Sequence, residues 1–145
     1  MGSISGNSTN PGGSLAPAEE EFCLRWNDFR DSIASSLLEL RRDKELLDVS
    51  LLLSDSDTLV SAHRVVLSAC SSFFRSLLLK KGLGPNPVIV LSDVSSEDLD
   101  SVLTFMYNGE VKVKQEDLNS FLGVAEKLRV RGLCQGDKRS SAPNK

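Results

Sequence analysis

Two short runs, Val49-Ser50-Leu51-Leu52-Leu53 and Val88-Ile89-Val90-Leu91, are apolar almost end to end. A strand with one wet face alternates apolar and polar side chains, whereas a strand covered on both faces does not. The first run is therefore expected to be a strand covered on both faces and the second is expected to be a strand apolar throughout, and the chain must supply elements to cover them. It does so with helical periodicity on either side. Phe29, Ile33, Leu37 and Leu40 recur at spacings of four, four and three, which marks one face of a helix. Leu99, Val102, Leu103 and Met106 mark a second, and Leu118, Phe121, Leu122, Ala125 and Leu128 a third.

Local chemistry punctuates these elements. Phe22 to Asn27 alternates imperfectly, as a short strand would, and Asn27 or Asp28 can cap the helix that follows. Ser54-Asp55-Ser56-Asp57 is a turn, because these side chains bond local backbone, and Thr58 to Ser61 returns as the second hairpin strand. His63 to Ala69 is expected to be a short helix with Val65, Val66 and Ala69 inward. Ser71 can cap a second one carrying Phe73, Phe74, Leu77 and Leu78. Gly82, Gly84, Pro85 and Pro87 then break the chain. Ser95-Ser96-Glu97-Asp98 resembles a capping box, and Asn108-Gly109 can end the helix it opens. Glu110 to Lys114 alternates cleanly and predicts a half-exposed strand, and Val130 to Leu133 a final turn. The fold class that follows is mixed α/β or α+β, with a small sheet flanked by helices.

Residues 1–21 are poor in large apolar side chains and are expected to be a disordered leader. Residues 135–145 are similarly polar and are expected to begin a linker. One folded domain is left over residues 22–134, within a chain of 145 residues. A net charge of -3 argues against sequence-independent nucleic-acid binding, which needs a surplus of Lys and Arg. The basic residues Lys112, Lys114, Lys127, Arg129 and Arg131 are interspersed with Glu110, Glu116 and Glu126, as on a mixed solvated surface. Three widely spaced cysteines, Cys23, Cys70 and Cys134, and one histidine, His63, suit neither a disulfide framework nor a structural zinc. Reduced thiols are expected. Cys70 is expected to be a buried small residue. No neighbouring cluster of positive charge marks Cys23 or Cys134 as a reactive thiolate. No apolar run approaches the ~20 residues of a membrane span. His63 has no second histidine and no assignable nucleophile, so a structural role is expected; no catalytic, metal or cofactor residue is assigned and no enzyme activity is expected.

The segments Leu47-Asp48-Val49-Ser50-Leu51, Ala62 to Ser71, Phe73-Phe74 and Phe105 to Val111, taken in that order, resemble the BTB/POZ domain. Phe22-Cys23-Leu24-Arg25-Trp26-Asn27 is similar to the N-terminal signature of the arthropod tramtrack group of that family, and Val124 to Leu133 is similar to that group's C-terminal end. There are departures: Ser72 stands where proline is common, and the hairpin loop lacks the usual glycine. The resemblance implies a BTB/POZ fold in which the N-terminal strand is exchanged between chains of an intertwined homodimer. It also implies larger homo-oligomers, mixed partnering with related BTB domains and transcriptional cofactors, and a nuclear transcription or chromatin regulator. In such proteins DNA is bound by separate domains, none of which is in this sequence. Another role known in the family, substrate adaptor for a cullin-based ubiquitin ligase, usually needs further helices after the domain.

The implied oligomer interface comprises Phe22, Leu24, Trp26, Phe29, Ile33, Leu37, Val111 and Val113. Phe22 to Trp26 is expected to pair with Val111 to Val113 of a second chain, although pairing within its own sheet is the alternative. The Phe29–Leu40 stripe divides between ordinary core and a symmetry-related helix contact. Asp48 and Arg64 are implied to line a charged pocket near the dimer groove. The alternative is a structural ion pair, whose disruption, if buried, typically costs ~3–5 kcal/mol.

Overall fold

The computed structural model describes residues 3–5 and 19–133. Cys134, the expected linker at 135–145 and most of the expected leader lie outside them. The elements in order are β1 (Ser3–Ser5), β2 (Cys23–Arg25), α1 (Phe29–Arg42), β3 (Val49–Leu53), β4 (Thr58–Ala62), α2 (Arg64–Cys70), α3 (Ser72–Leu78), β5 (Val88–Leu91), α4 (Ser96–Asn108), a 3-10 turn (Gln115–Asp117) and α5 (Leu118–Lys127). The class is α+β. The backbone forms two compact units, one ending at Ala34 and the other beginning at Ser35, within α1.

In the second unit, β3 lies between β4 and β5, antiparallel to the first and parallel to the second. The β3–β4 hairpin turns without glycine because Asp57 adopts φ 57°, a left-handed conformation that aspartate tolerates better than most residues, and its N–H bonds Leu53 O at 2.7 Å. Val49, Leu51 and Leu53 point into the core, where they meet Leu67, Phe74, Leu99, Val102, Leu103, Phe121, Ala125 and Leu128. Leu37 and Leu38 of α1 pack against the same cluster.

Caps set the helix boundaries. Ser95 Oγ accepts from Asp98 N at 3.1 Å, which opens α4, and Gly109 at φ 86° closes it by donating to Phe105 O. The Asp98 carboxylate accepts from Ser120 Oγ and so ties α4 to α5. Ser71 Oγ accepts from Phe74 N at 3.0 Å and donates to Leu128 O at 2.6 Å, fastening the α2–α3 junction to the end of the domain. Ser72 donates its N–H to Arg129 O at 3.3 Å, a bond that a proline at this position could not make.

Three expectations are corrected and two are sharpened. The leader contributes β1, whose Ser3–Ser5 pair antiparallel with Arg25–Cys23, Ile4 opposite Leu24; a lone strand leaves its N–H and C=O groups unpaired, and these take up an extended partner. Of the two expected caps it is Asp28 that precedes α1, at φ 64°, and its carbonyl accepts from Ser32 N at 2.8 Å. In α2 the buried residues are Val66 and Leu67, while Val65 and Ala69 face outward. Val88 and Val90 of β5 are exposed, so this apolar strand has core on one face only. Finally, residues 110–114 form no ladder with any strand among the described residues. The segment keeps the alternating burial of a strand, with Val111 and Val113 leaning on the core, but a strand's remaining hydrogen bonds need a neighbour, and no strand among the described residues stands there.

Candidate interaction surface

The first unit presents an unusual density of exposed apolar surface. Phe22, Leu24 and Trp26 are 60%, 70% and 47% exposed. The rings of Trp26 and Phe29 meet edge to face, with centroids 5.1 Å apart. Phe29 and Ile33, at the start of α1, are also exposed. Single exposed hydrophobics are ordinary, but a contiguous set marks a surface that something covers. The α1 stripe is divided along its length: Phe29 and Ile33 face solvent, while Leu37 and Leu40 are half-buried. β2 belongs to a two-stranded sheet with β1, and its other edge carries no strand among the described residues. The 110–114 segment offers a second free edge. The structure thus places the eight interface residues expected from the sequence on these segments of a single chain and brings Trp26 and Phe29 together.

Asp48 and Arg64 are brought together, but less deeply than their position beside a buried strand suggested. Asp48 Oδ1 accepts from Arg64 N at 2.8 Å, so the carboxylate caps α2 from outside the helix. The guanidinium stands 3.8 Å from the second carboxylate oxygen and also bonds Gly84 O at 2.6 Å. The side chains of Arg64 and Asp48 are 29% and 45% exposed. The charge pair is screened, and its stabilising effect rests mainly on the cap. Asp48→Ala is expected to cost about 1 kcal/mol, well short of a buried pair's loss; a fall of several kcal/mol in urea unfolding would contradict this.

His63, which has the residue type of a catalytic or metal-binding group, is 5% exposed and fully occupied. Its Nε2 lies 2.7 Å from Glu45 O, which can only accept, so Nε2 carries the proton. Nδ1 is then the acceptor for the Tyr107 hydroxyl at 2.5 Å, and the same oxygen accepts from the His63 backbone N–H at 3.1 Å. The Arg41 guanidinium covers the Tyr107 ring at 5.2 Å and reaches Asp100 at 3.1 Å. This cluster joins the end of α1, the entry to β3, the start of α2 and the end of α4. Among the described residues no group of three His, Cys, Asp or Glu side chains could hold a metal ion, and no helix is long and apolar enough to cross a membrane.

Burial raises the Tyr107 phenol above its ordinary pKa, with the His63 N–H and Arg41 partly opposing it, and burial likewise raises the Cys70 thiol against a smaller opposing effect of Arg131. For a group whose folded pKa is raised, stability is fully present below the unfolded value and is lost as pH rises through the folded one. Stability is therefore expected to fall once pH passes about 9–10. Urea unfolding in reductant at neutral and alkaline pH checks this, and the fall should be smaller in Tyr107→Phe; an undiminished midpoint at high pH would contradict it.

Sequence reasoning missed several exposed apolar residues: Leu46, Leu59, Val65, Leu79, Val88 and Val90.

A sequence model of the BTB/POZ domain matches residues 37–139. The chain is 49% identical over 116 residues to Broad-complex core protein isoforms 1/2/3/4/5 of Drosophila melanogaster, covering 80% of this chain and 16% of that protein. It is 42% identical over 121 residues to the Longitudinals lacking protein-like protein of the same organism, covering 83% and 93%. To Protein tramtrack, alpha isoform, also from Drosophila melanogaster, it is 41% identical over 118 residues, covering 81% and 14%. Among solved structures it is similar to the BTB domain of zebrafish PATZ1, with a TM-score of 0.60 and 24% identity over 70% of this chain and 80% of that one. The chain thus spans under a fifth of the length of two of these relatives and nearly all of one.

Proposed function

Since the chain belongs to the BTB/POZ family, a family of protein–protein interaction domains, we propose that it self-associates by exchanging β2 between copies. In this reading the free edge of β2 pairs with residues 111–113 of a second chain, and the Phe29–Ile33 end of α1 packs against its symmetry mate. The observation that carries it is the coincidence of two strand-like segments, each with an edge that no further strand among the described residues covers, with an exposed aromatic and aliphatic set on the same chain. Exchange of an element is a low-cost route to a dimer, and it removes an edge that would otherwise invite aggregation. The half-exposed Asp48–Arg64 pair provides charge for contact with transcriptional cofactors. Related BTB domains are further partners of this surface. The chain would serve a nuclear transcription or chromatin regulator, acting through avidity. Joining DNA-binding modules through one oligomer raises their effective local concentration without new DNA contacts.

Light scattering on the purified chain tests this. A mass of two or more copies at micromolar concentration is expected; a single copy of 15.8 kDa would remove the proposal.

A further inference from the structure

The chain has a net charge of -3, yet its acidic residues are unevenly spread. No Asp or Glu occurs between Asp57 and Asp93, nor from Lys127 to Leu133. The fold joins these two acid-free stretches. Ser71 and Val130 form an antiparallel bridge, flanked by Ser72 N–H donating to Arg129 O at 3.3 Å and Arg131 N–H donating to Cys70 O at 2.8 Å. Ser71 and Val130 are fully buried, so alternation turns Ser72, Arg129 and Arg131 outward, and all three are exposed. Arg75 follows one turn after Ser72 on the wet side of α3. There Ser72, Arg75, Ser76 and Leu79 recur at helical spacing, opposite the buried Phe74 and Leu78. Leu79 ends that row and is 69% exposed.

The three arginines lack a counter-charge. Among the described residues Arg41, Arg42 and Arg64 meet carboxylates, whereas Arg75, Arg129 and Arg131 meet none, Glu126 included. Arg129 is also held at φ 49°, a left-handed conformation uncommon for such a residue, by the Ser72 bond to its carbonyl. Like charges gathered on one face without a counter-charge raise a local potential that an anionic partner relieves.

We propose that this face docks a short acidic segment of a different protein, with carboxylates on Arg75, Arg129 and Arg131 and an apolar side chain on Leu79. Guanidinium groups hold carboxylates through paired, charge-assisted hydrogen bonds, a geometry that lysine does not offer. Leu79 favours a partner with apolar side chains among its acids, which a phosphate backbone lacks. Length argues against nucleic acid as well. Charges are screened beyond roughly 8 Å at physiological salt, so a short peptide responds to this face alone. A duplex would run on over the acidic remainder of the domain. Strand exchange uses β2, the start of α1 and residues 111–113, none of which contributes here, so this proposal goes beyond self-association and does not depend on it.

The test uses the full 145-residue chain and fluorescence anisotropy. The probes are a labelled short peptide rich in glutamate and leucine, the same peptide with glutamine for every glutamate, and a labelled DNA duplex. The acidic peptide is expected to bind at micromolar concentration and to weaken as salt rises, and the glutamine peptide to bind at least about tenfold less tightly. Arg129→Gln and Arg131→Gln are each expected to weaken the acidic peptide about tenfold, because each removes charge-assisted hydrogen bonds. Arg75→Gln lies on an exposed helix face and carries the test should the other two disturb the turn. Arg42→Gln removes an arginine that Asp43 already engages, and is expected to bind as the wild type does. Failure of the acidic peptide to bind overturns the proposal, as does equal binding of the glutamine peptide or wild-type affinity in all three arginine variants. A duplex that binds more tightly than the peptide through the same arginines overturns the choice of partner. Light scattering on the same samples reports self-association separately.

Discussion

Trp26→Ala is expected to weaken self-association at least about thirtyfold while leaving the helices intact. Trp26 is half exposed and holds the ring of Phe29 edge to face, so the two aromatics form one rigid apolar block at the junction of β2 and α1. In an interface such a block is a typical hot spot, and truncating one costs about 2 kcal/mol or more of binding energy, which is roughly thirtyfold in dissociation constant. The folded core does not depend on it: among the described residues the buried cluster begins at Val49, and its partly buried neighbours begin at Leu37. Circular dichroism should therefore be unchanged while the mass shifts to smaller species on dilution. Association as tight as in the wild type would mean that the aromatic block stays outside the interface.

The largest effect on stability is expected from His63→Ala. The imidazole joins two polar groups that lie far apart in sequence, the part-buried Glu45 carbonyl and the buried Tyr107 hydroxyl. Alanine leaves both without that partner and opens a cavity beside the Tyr107 ring. The buried Tyr107 O–H left without its acceptor costs about 1–3 kcal/mol and the cavity left by the imidazole adds to it, so the sum is roughly 3–5 kcal/mol. For a domain of about 110 residues this lowers Tm by more than about 10 °C. A double-mutant cycle with Tyr107→Phe should show strong coupling, because the second substitution removes a hydroxyl that has already lost its acceptor. Additive effects would show that the two side chains act separately. Loss of assembly in His63→Ala, if it occurs, should track unfolding.

The His63 cluster illustrates what one chain's sequence can and cannot disclose. That the histidine is structural follows from its lack of partners for chemistry. Its actual partners, Glu45 and Tyr107, are joined only by folding, and nothing at either position marks the contact. Local signals fared better. Ser95 with Asp98 and Asn108 with Gly109 set the ends of α4, because a cap depends on groups within one turn. Ser71 opens α3 for the same reason. Phase was harder where elements are short: α2 has seven residues, fewer than two full turns, and an apolar Val65-Val66-Leu67 fits more than one inward face. Val88-Ile89-Val90-Leu91 shows a different limit. An all-apolar strand is compatible with cover on both faces, yet Val88 and Val90 are exposed on this chain, because apolar composition alone does not say which face meets the core. The clean alternation at Glu110 to Lys114 likewise predicted half-burial, which is present, and a ladder, which is absent among the described residues. The family resemblance came from motifs spread across the fold, and each of those motifs serves packing or capping.

Strand exchange makes a direct statement about which chain pairs with which. Isotope-labelled and unlabelled chains can be mixed, unfolded and refolded together, and contacts between unlike chains selected by isotope-filtered NMR. Cross-strand contacts linking residues 23–25 of one chain to residues 111–113 of another are expected, together with amide protons at Val111 and Val113 that exchange slowly only in the assembled protein. If those residues touch only their own chain, or if the amides of 111–113 exchange freely in a fully assembled sample, β2 does not cross between copies.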